Sequence, residues 1–309
     1  MWTPADLSLW SGRTDPGVAA LRWHQVIDDP DDGAPGICLL GFASDRGVQL
    51  NQGRPGASEG PDTLRRALGN LPAPAERPVY DAGTVTVADD LAAGQGAYAE
   101  RVARLLDAGH TVIGLGGGHE IAWGSYQGLA RHLDMGDEPA RIGIVNFDAH
   151  FDLREPVEGG TSGTPFRQIA DDCGRRGTGF HYLCLGVSEA ANTRALFDFA
   201  DAAGVRYLVD IDCSEERAAP LLEALVAEVD ALYVTVCLDA LPAAVAPGVS
   251  APAGFGIGLE FVIRCLRRVR AMSPECPWPV ADVAEFNPRY DIDGRTARTA
   301  ARLVWELAR

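Results

Sequence analysis

Side chains that bind metal ions stand at alternate positions directly after an apolar run of the sequence. Asp148, His150 and Asp152 follow residues 142–147, which have the composition of a buried strand. Alternate residues of an extended chain point the same way, so these three side chains can face one ion together. Carboxylate and imidazole groups suit divalent ions such as Mn²⁺. The alternative is a strand end whose aspartates and histidine cap neighbouring helices.

A second apolar run, residues 111–115, ends in glycines that are followed by His119. Glycines 116–118 have no side chains and allow an ion or another backbone segment to come close. A nucleotide-binding loop is the alternative, but the glycine spacing is not G-x-G-x-x-G and no Lys-Ser or Lys-Thr pair follows. We therefore favour a metal-ligand role for His119.

Two further apolar runs end in residues that can bind metal or a cation. Residues 231–236 lead into Cys237 and Asp239, and Glu285 follows another predicted strand. Open α/β sheets place their ligands at the carboxyl ends of parallel strands, where all of these groups would meet. Two histidines and three aspartates gathered there would form a site for two ions, and their nitrogen and oxygen atoms suit Mn²⁺.

These groups must be positioned by apolar runs that alternate with amphipathic segments along the chain. The pattern predicts strands at residues 37–42, 111–115, 142–147, 182–187, 206–209, 231–238 and 279–284. It predicts helices at residues 61–71, 92–108, 121–133, 190–203, 218–228, 259–269 and 296–307. Such alternation is typical of an α/β fold in which helices cover a parallel sheet.

Gly- and Pro-rich stretches separate these elements and are predicted loops. They lie at residues 30–36, 47–60, 155–165 and 242–258. None is long or polar enough for an interdomain linker, so we expect one domain over residues 1–309.

The composition limits the partners and the location of the protein. The formal net charge is −16, which argues against a nucleic-acid or anionic-membrane surface because such surfaces need clustered Lys and Arg. The first ten residues lack a basic region followed by an apolar run, and no stretch of about 18 apolar residues occurs. The seven cysteines form no C-x-x-C pair and are expected as buried thiols. We expect a cytoplasmic protein that acts on a small molecule.

The order and spacing of the motifs resemble the ureohydrolase superfamily, which contains the arginases and agmatinases. Its three metal-binding signatures match the Gly-Gly-Gly-His run ending at His119, the segment from Asp148 to Asp152, and the run from Asp239 through Pro247-Gly248 to Gly256. The resemblance extends to residues 53–61 and 285–288, so it covers most of the chain. It implies a three-layer α/β/α, arginase-like fold with a mainly parallel central sheet, and a homo-oligomer.

The resemblance also implies ligands for two Mn²⁺ ions, with Asp148 as the bridge between them. One ion would be held by His119, Asp148, Asp152 and Cys237. The other would be held by Asp148, His150, Asp239 and Cys237.

The same resemblance assigns catalytic roles to two acids. Water between two such ions loses a proton readily, and the resulting hydroxide would attack an amidine carbon. Glu285 would pair with the amidinium nitrogens by charge-assisted hydrogen bonds. Asp152 would carry the proton to the leaving amine.

Two positions depart from the pattern of arginases and agmatinases. Cys237 stands where they have Asp, and a thiolate prefers softer metals than Mn²⁺. Three interpretations of Cys237 follow. It is a true metal ligand, or the site holds only one ion tightly, or the protein is a catalytically inactive relative. Ser162 stands where they have His, so a proton shuttle through that His is not carried over.

Three short runs resemble the formimidoylglutamase branch, which hydrolyses N-formimidoyl-L-glutamate to L-glutamate and formamide in histidine degradation. They are Gly-Gly-Gly-His-Glu, Cys-Leu-Asp-Ala-Leu-Pro, and Ser-Gly-Thr-Pro-Phe beginning at Ser162, a predicted substrate contact. The two carboxylates of that substrate need cations, for which Arg46, Arg54 and Arg154 are candidates, Arg54 foremost. The alternatives are a hydrolase of agmatine or guanidinobutyrate and a non-catalytic relative. The missing His and Cys237 count against the guanidine substrates.

Overall fold

The sheet and its helices are taken from a computed structural model that describes residues 1–30, 34–74, 77–134 and 139–309. Within these residues, nine strands form one sheet: β1 (Trp2–Thr3), β2 (Ile37–Ala43), β3 (Val79–Thr86), β4 (Thr111–Leu115), β5 (Ile142–Phe147), β6 (His181–Val187), β7 (Arg206–Val209), β8 (Ala231–Cys237) and β9 (Val280–Ala284).

Ten α-helices lie between or after the strands in the described part of the chain. They are α1 (Trp23–Val26), α2 (Arg46–Leu50), α3 (Gly60–Leu68), α4 (Leu91–Asp107), α5 (Ile121–Leu133), α6 (Pro165–Arg176), α7 (Arg194–Ala202), α8 (Glu215–Val226), α9 (Leu259–Ala271) and α10 (Arg295–Leu307). No helix among the described residues is long and apolar enough to cross a membrane.

The strand order across the sheet is β1-β3-β2-β4-β9-β8-β5-β6-β7. All neighbouring pairs are parallel except β1 with β3. Strands β4, β9, β8 and β5 are therefore adjacent at the centre, and their carboxyl ends meet at one edge of the sheet. This order confirms the predicted mainly parallel sheet and explains how distant segments of the sequence reach one site.

Helices cover both faces of the sheet, as predicted. The central strands β5, β8 and β9 are buried along their whole length, which matches their nearly continuous apolar sequences. Leu64 of α3 and Leu303 of α10 pack into the core on one face. Tyr98 of α4 and Phe166 of α6 pack into the core on the other face. The result is the predicted three-layer α/β/α arrangement.

The sequence pattern did not predict strand β3, because a charged residue lies in its middle. Asp81 is buried and receives hydrogen bonds from Arg65 of α3, with Nε and Nη2 each 2.8 Å from a carboxylate oxygen. Trp10 donates its indole N–H to the same carboxylate. A paired charge can replace an apolar residue in a core, but the pairing partner is invisible to a search for apolar periodicity.

Several helices also differ from the sequence prediction, among them α1, which was not predicted. Helix α2 occupies the start of the predicted loop 47–60, and α7 begins at Arg194 instead of residue 190. Helix α6 was not predicted, although Pro165 at its start and Gly177, with a φ of 72°, at its end are the usual start and stop residues.

Candidate metal centre

The predicted ligand residues converge at the carboxyl edge of the four central strands. His119 follows β4, Glu285 follows β9, and Asp148 follows β5. Cys237 is the last residue of β8, and Asp239 lies in the short 3-10 helix that comes next. Because these strands are neighbours in the sheet, residues far apart in the sequence lie side by side.

One group of possible ligand atoms comes from His119, Asp148 and Cys237, which all lie within 4.8 Å of one another. The Nδ1 atom of His119 is 2.9 Å from Oδ2 of Asp148 and 3.0 Å from Oδ2 of Asp152. His119, Asp148 and Cys237 are buried, so this group lies below the protein surface.

A second group consists of Asp148, His150 and Asp239, again within 4.8 Å of one another. The Nδ1 atom of His150 is 3.3 Å from Oδ2 of Asp239 and 3.6 Å from Oδ1 of Asp148. The backbone N–H of His150 also donates to Oδ1 of Asp148. Asp148 belongs to both groups, which is the arrangement expected of a carboxylate shared by two ions.

The hydrogen bonding of the His119 imidazole is the pattern expected of a metal-binding histidine. Its Nε2 lies 3.0 Å from Oγ1 of Thr235, whereas its buried Nδ1 makes no hydrogen bond with any described residue. A proton on Nε2 that is donated to Thr235 leaves a lone pair on Nδ1, directed between two carboxylates. A divalent cation would satisfy all three groups, so the residues present fit such an ion.

The charge distribution of the cluster also favours the binding of cations. Burial lowers the pKa of His150, but Asp239 and Asp148 outweigh burial and raise it to about 12. Burial likewise lowers the pKa of His119, and Asp148 and Asp152 raise it well above its usual range. The aspartates therefore hold protons on both imidazoles, and a bound metal ion would supply that positive charge instead.

The cluster also perturbs its thiol. Burial and the nearby carboxylates of Asp148 and Asp239 raise the pKa of Cys237 well above its usual range. Its Sγ–H donates to Oδ1 of Asp239 at 2.8 Å. Cys237 is thus a neutral thiol in the absence of a cation, and a metal ion would be needed to ionise it.

Asp152 and Glu285 have unusual backbone conformations. Their φ angles are 49° and 67°, in the left-handed region that costs non-glycine residues free energy. The backbone N–H of Glu285 donates to the carbonyl of Gly117, and its carboxylate accepts the backbone N–H of His119 at 2.9 Å. These contacts hold Glu285 against the glycine run, with its carboxyl group at the cluster.

A cleft of about 280 Å³ opens from the cluster to the surface. Its lining includes Asp152, Glu285, Cys237 and Asp239 from the cluster, together with Asn51, Arg54, Arg154, Ser162 and Asn192. Burial of Glu285, reinforced by Asp239 and Glu120, raises the pKa of its carboxyl group well above its usual range. A buried acid in a cleft is suited to a cationic group such as an amidinium.

The predicted substrate-binding residues lie at different places around this cleft. Arg54 lines it, but its Nε and Nη2 donate to the backbone carbonyls of Ser250 and Val249, and its guanidinium stacks on Tyr290. Arg154 and Ser162 also line the cleft, whereas Arg46 does not.

Several polar residues at the site, among them Asn51 and Thr235, were not predicted from the sequence. Asn51 contacts Ser162 and Arg154, and Thr235 contacts His119. Thr235 stands two residues before Cys237 in β8, so strand alternation could have placed it on the same side. Asn51 carries no such signal, because its partners are more than a hundred residues away along the chain.

Comparison with known proteins gives a consistent result. The sequence model of the arginase family matches residues 35–309. The chain is 50% identical over 313 residues to the formimidoylglutamase of Hahella chejuensis, covering 99% of this chain and 96% of that protein. It is 51% identical over 312 residues to the formimidoylglutamase of Chromobacterium violaceum, covering 98% of each.

The fold is also similar to solved structures. The formiminoglutamase of Trypanosoma cruzi with Mn²⁺ superimposes with a TM-score of 0.80 at 22% identity, covering 94% of this chain and 97% of that one. This likeness confirms the arginase-like fold that the sequence resemblance predicted.

Proposed function

The chain belongs to the arginase family, and we propose that it is a metal-dependent hydrolase that converts N-formimidoyl-L-glutamate to L-glutamate and formamide. The structural observation that carries this proposal is the sharing of Asp148 by two groups of ligand atoms at the base of the cleft. The substrate is supported by the formimidoylglutamases that match the chain at about half identity over nearly its full length.

We propose that the cluster holds two Mn²⁺ ions. His119, Asp148, Asp152 and Cys237 would bind one, and Asp148, His150, Asp239 and Cys237 the other. Such ions, when bound, lower the pKa of a water molecule so that it provides hydroxide near neutral pH. Two divalent ions carry four positive charges. The three aspartates supply three negative charges, and a Cys237 thiolate would supply the fourth.

Glu285 orients the substrate in this proposal. Its carboxylate is fixed by the backbone N–H of His119 and lines the cleft next to the cluster. An amidinium that enters the cleft would form charge-assisted hydrogen bonds with this carboxylate. These bonds hold the amidine carbon beside the cluster, and they favour the ionised form of an acid that burial otherwise disfavours.

Asp152 transfers the proton in this proposal. One of its oxygens contacts the imidazole of His119, and the same carboxylate lines the cleft. It can therefore accept a proton from the attacking group and return it to the departing nitrogen of glutamate. Carbon–nitrogen bond cleavage needs this step because the amine must leave in its protonated form.

A guanidine hydrolase is the second candidate within the family. Two residues that line the cleft differ from those of arginases and agmatinases. Ser162 stands where those enzymes have His, and Cys237 stands where they have Asp. Both features favour the formimidoyl substrate over agmatine or guanidinobutyrate.

We also propose a single catalytic domain over residues 1–309, a homo-oligomeric assembly, and a cytoplasmic location. The continuous nine-stranded sheet in the described residues supports the first proposal. The net charge of −16 supports a small-molecule enzyme that does not bind nucleic acid or anionic membranes.

The test is turnover by metal-stripped protein with and without added Mn²⁺. The substrates are N-formimidoyl-L-glutamate, agmatine, arginine and guanidinobutyrate, with release of glutamate and of urea as separate readouts. We expect Mn²⁺-dependent glutamate release and no urea. Urea without glutamate would overturn the substrate but keep the hydrolase, and no product from any compound would support a non-catalytic relative.

A further inference from the structure

The outer part of the cleft carries a cation in a strongly acidic chain. Arg154 is exposed, lines the cleft, and stands two residues after Asp152 in the sequence. The inner end of the same cleft is acidic, with Asp152, Asp239 and Glu285 in its lining. On the proposed function, the substrate brings two carboxylates to this site, and they require positive charge away from the acidic end.

We infer that Arg154, held in place by Asn51 and Ser162, binds the side-chain carboxylate of the substrate. This inference rests on the proposed function, and it assigns the substrate specificity of the protein to one network of hydrogen bonds. It makes Arg154 a specificity residue and Asn51 and Ser162 positioning residues.

The network consists of three side chains from two separate loops. Nη1 of Arg154 donates to Oδ1 of Asn51 at 2.6 Å, and Nδ2 of Asn51 donates to Oγ of Ser162 at 3.1 Å. The backbone N–H of Arg154 donates to the carbonyl of Gly163, and the backbone N–H of Ser162 donates to the carbonyl of Gly47. Each residue is thus held at two points, and the guanidinium is anchored to Asn51 through Nη1.

Gly163 makes this close arrangement sterically feasible. A Cβ at this position would lie 3.0 Å from both amide atoms of Asn51 and 3.3 Å from Cδ of Arg154. Such contacts are too short for a side chain to be added without displacing its neighbours. The Ser-Gly pair at residues 162 and 163 therefore provides both the hydroxyl and the space that Asn51 and Arg154 need.

The guanidinium keeps one edge available for a ligand. Among the described residues, Nη1 of Arg154 is bound to Asn51, and no hydrogen bond or ion pair is found for its Nε and Nη2. Two adjacent N–H groups form the fork that binds a carboxylate through two parallel hydrogen bonds. Arg54 differs, because its Nε and Nη2 already donate to backbone carbonyls.

The position of Arg154 selects the side-chain carboxylate over the α-carboxylate. The amidine that is hydrolysed is attached to the α-nitrogen, so the α-carboxylate must stay near the buried cluster. The side-chain carboxylate lies further along the substrate and reaches outward. Arg154 is exposed whereas Asp148 is fully buried, so the guanidinium lies on the outer side of the cleft.

The experiment compares two substrates on the Mn²⁺-loaded full-length protein, N-formimidoyl-L-glutamate and N-formimidoyl-L-glutamine. The second compound carries a neutral carboxamide in place of the side-chain carboxylate. We expect Arg154→Gln to raise KM for the glutamate compound by roughly 10- to 100-fold, because hydrogen bonds to charged groups contribute this much, with a smaller effect on kcat. The preference of the wild-type protein for glutamate over glutamine should disappear in this variant.

Three further variants complete the test. Asn51→Ala should raise KM for the glutamate compound less than Arg154→Gln does, and Arg154→Lys should recover part of the lost preference. Arg298→Gln removes an equally exposed arginine that pairs with Asp293 and should leave both KM values unchanged.

The outcomes separate this inference from the proposed function. A wild-type protein that hydrolyses N-formimidoyl-L-glutamate, with an Arg154→Gln variant that retains its KM and its preference, overturns the inference alone. A wild-type protein that hydrolyses neither compound overturns the proposed function and the inference together.

Discussion

The Nε2 atom of His119 lies 3.0 Å from the hydroxyl oxygen of Thr235, although the two residues are 116 positions apart. Thr235 stands opposite Asp282 in the neighbouring strand, and the buried carboxyl group of Asp282 accepts hydrogen bonds from Ser125 and Tyr233 at 2.6 Å each. The hydroxyl oxygen of Thr235 can accept the proton of His119 Nε2. This contact places the proton of a neutral His119 on Nε2, so that Nδ1 can offer its lone pair to a metal ion in the cluster.

Replacing Thr235 by Val should weaken Mn²⁺ binding, because the fixed tautomer of His119 is lost while the shape of the side chain is kept. We expect a loss of about 10- to 100-fold in affinity for one ion, as is usual when a partner of a metal-binding His is removed. The measurement is a titration in which free Mn²⁺ is followed by electron paramagnetic resonance.

Thr235→Ser is the matched control, since it retains the hydroxyl and should bind Mn²⁺ almost as the wild type does. Equal affinities for the Val variant and the wild type would show that the hydroxyl does not position His119.

Cys237→Asp should tighten metal retention. The thiol is neutral in the metal-free chain because burial and the carboxylates of Asp148 and Asp239 raise its pKa. An aspartic acid loses its proton to a metal ion more readily than a thiol does, and it offers oxygen, which Mn²⁺ prefers to sulfur. The metal-free variant should melt at a lower temperature than the wild type, since another negative charge is added to a buried acidic cluster.

Metal content after dialysis against a chelator, measured beside Cys237→Ala, is the check on this prediction. Retention in the Asp variant that equals that of the wild type would place Cys237 outside the ligand set.

The central strands were predictable from sequence because parallel strands covered on both faces are almost wholly apolar. Strand β5, for example, was predicted at residues 142–147 and lies at Ile142–Phe147. The predicted ligand residues near these strands follow from the same pattern, since each stands within a few residues of the end of an apolar run. What could not be predicted are contacts that only the tertiary fold creates, such as the one between Asn51 and Ser162, 111 positions apart. The role that we infer for Arg154 depends on that contact, and the sequence alone had favoured Arg54.

Removal of metal should lower the stability of the folded protein. Ions that bind only the folded state stabilise it by about 2.7 kcal/mol when their concentration is a hundred times Kd. We therefore expect the melting temperature to fall on treatment with a chelator and to rise again with Mn²⁺ concentration. Calorimetry of the wild type and of Asp148→Asn provides the comparison, because loss of the shared carboxylate should remove most of the response. A variant that responds to Mn²⁺ as strongly as the wild type would contradict the bridging role of Asp148.

The stability contributed by Glu306 should depend on pH. Its side chain is buried in α10 and accepts hydrogen bonds from Arg267 at 2.8 Å and Arg302 at 2.7 Å. Burial raises the pKa of Glu306, but the two arginines outweigh it, and the net result is below the ordinary value of 4.5. A lowered pKa in the folded state means that this stabilisation is complete above pH 4.5 and is lost as the pH falls below it.

Glu306→Gln should therefore reduce the free energy of unfolding at pH 7 by about 1 kcal/mol, a small value because both arginines are partly exposed. Urea unfolding of both proteins at several pH values gives the difference. A difference that does not shrink below the ordinary pKa of glutamate would mean that the ion pairs are not its source.

The buried ion pair between Arg65 and Asp81 should matter far more to stability than the surface contact of the same arginine with Asp62. Arg65 and Asp81 are 2% and 0% exposed, whereas Asp62 is 53% exposed. Asp81→Ala leaves a buried guanidinium without its counter-ion and should cost about 3–5 kcal/mol, while Asp62→Ala should cost less than about 1 kcal/mol. Denaturant unfolding of the two variants measures this contrast, and similar values for both would contradict it. Replacing the pair together, as Arg65→Met with Asp81→Leu, should restore much of the loss, because it removes the uncompensated charge as well as the attraction.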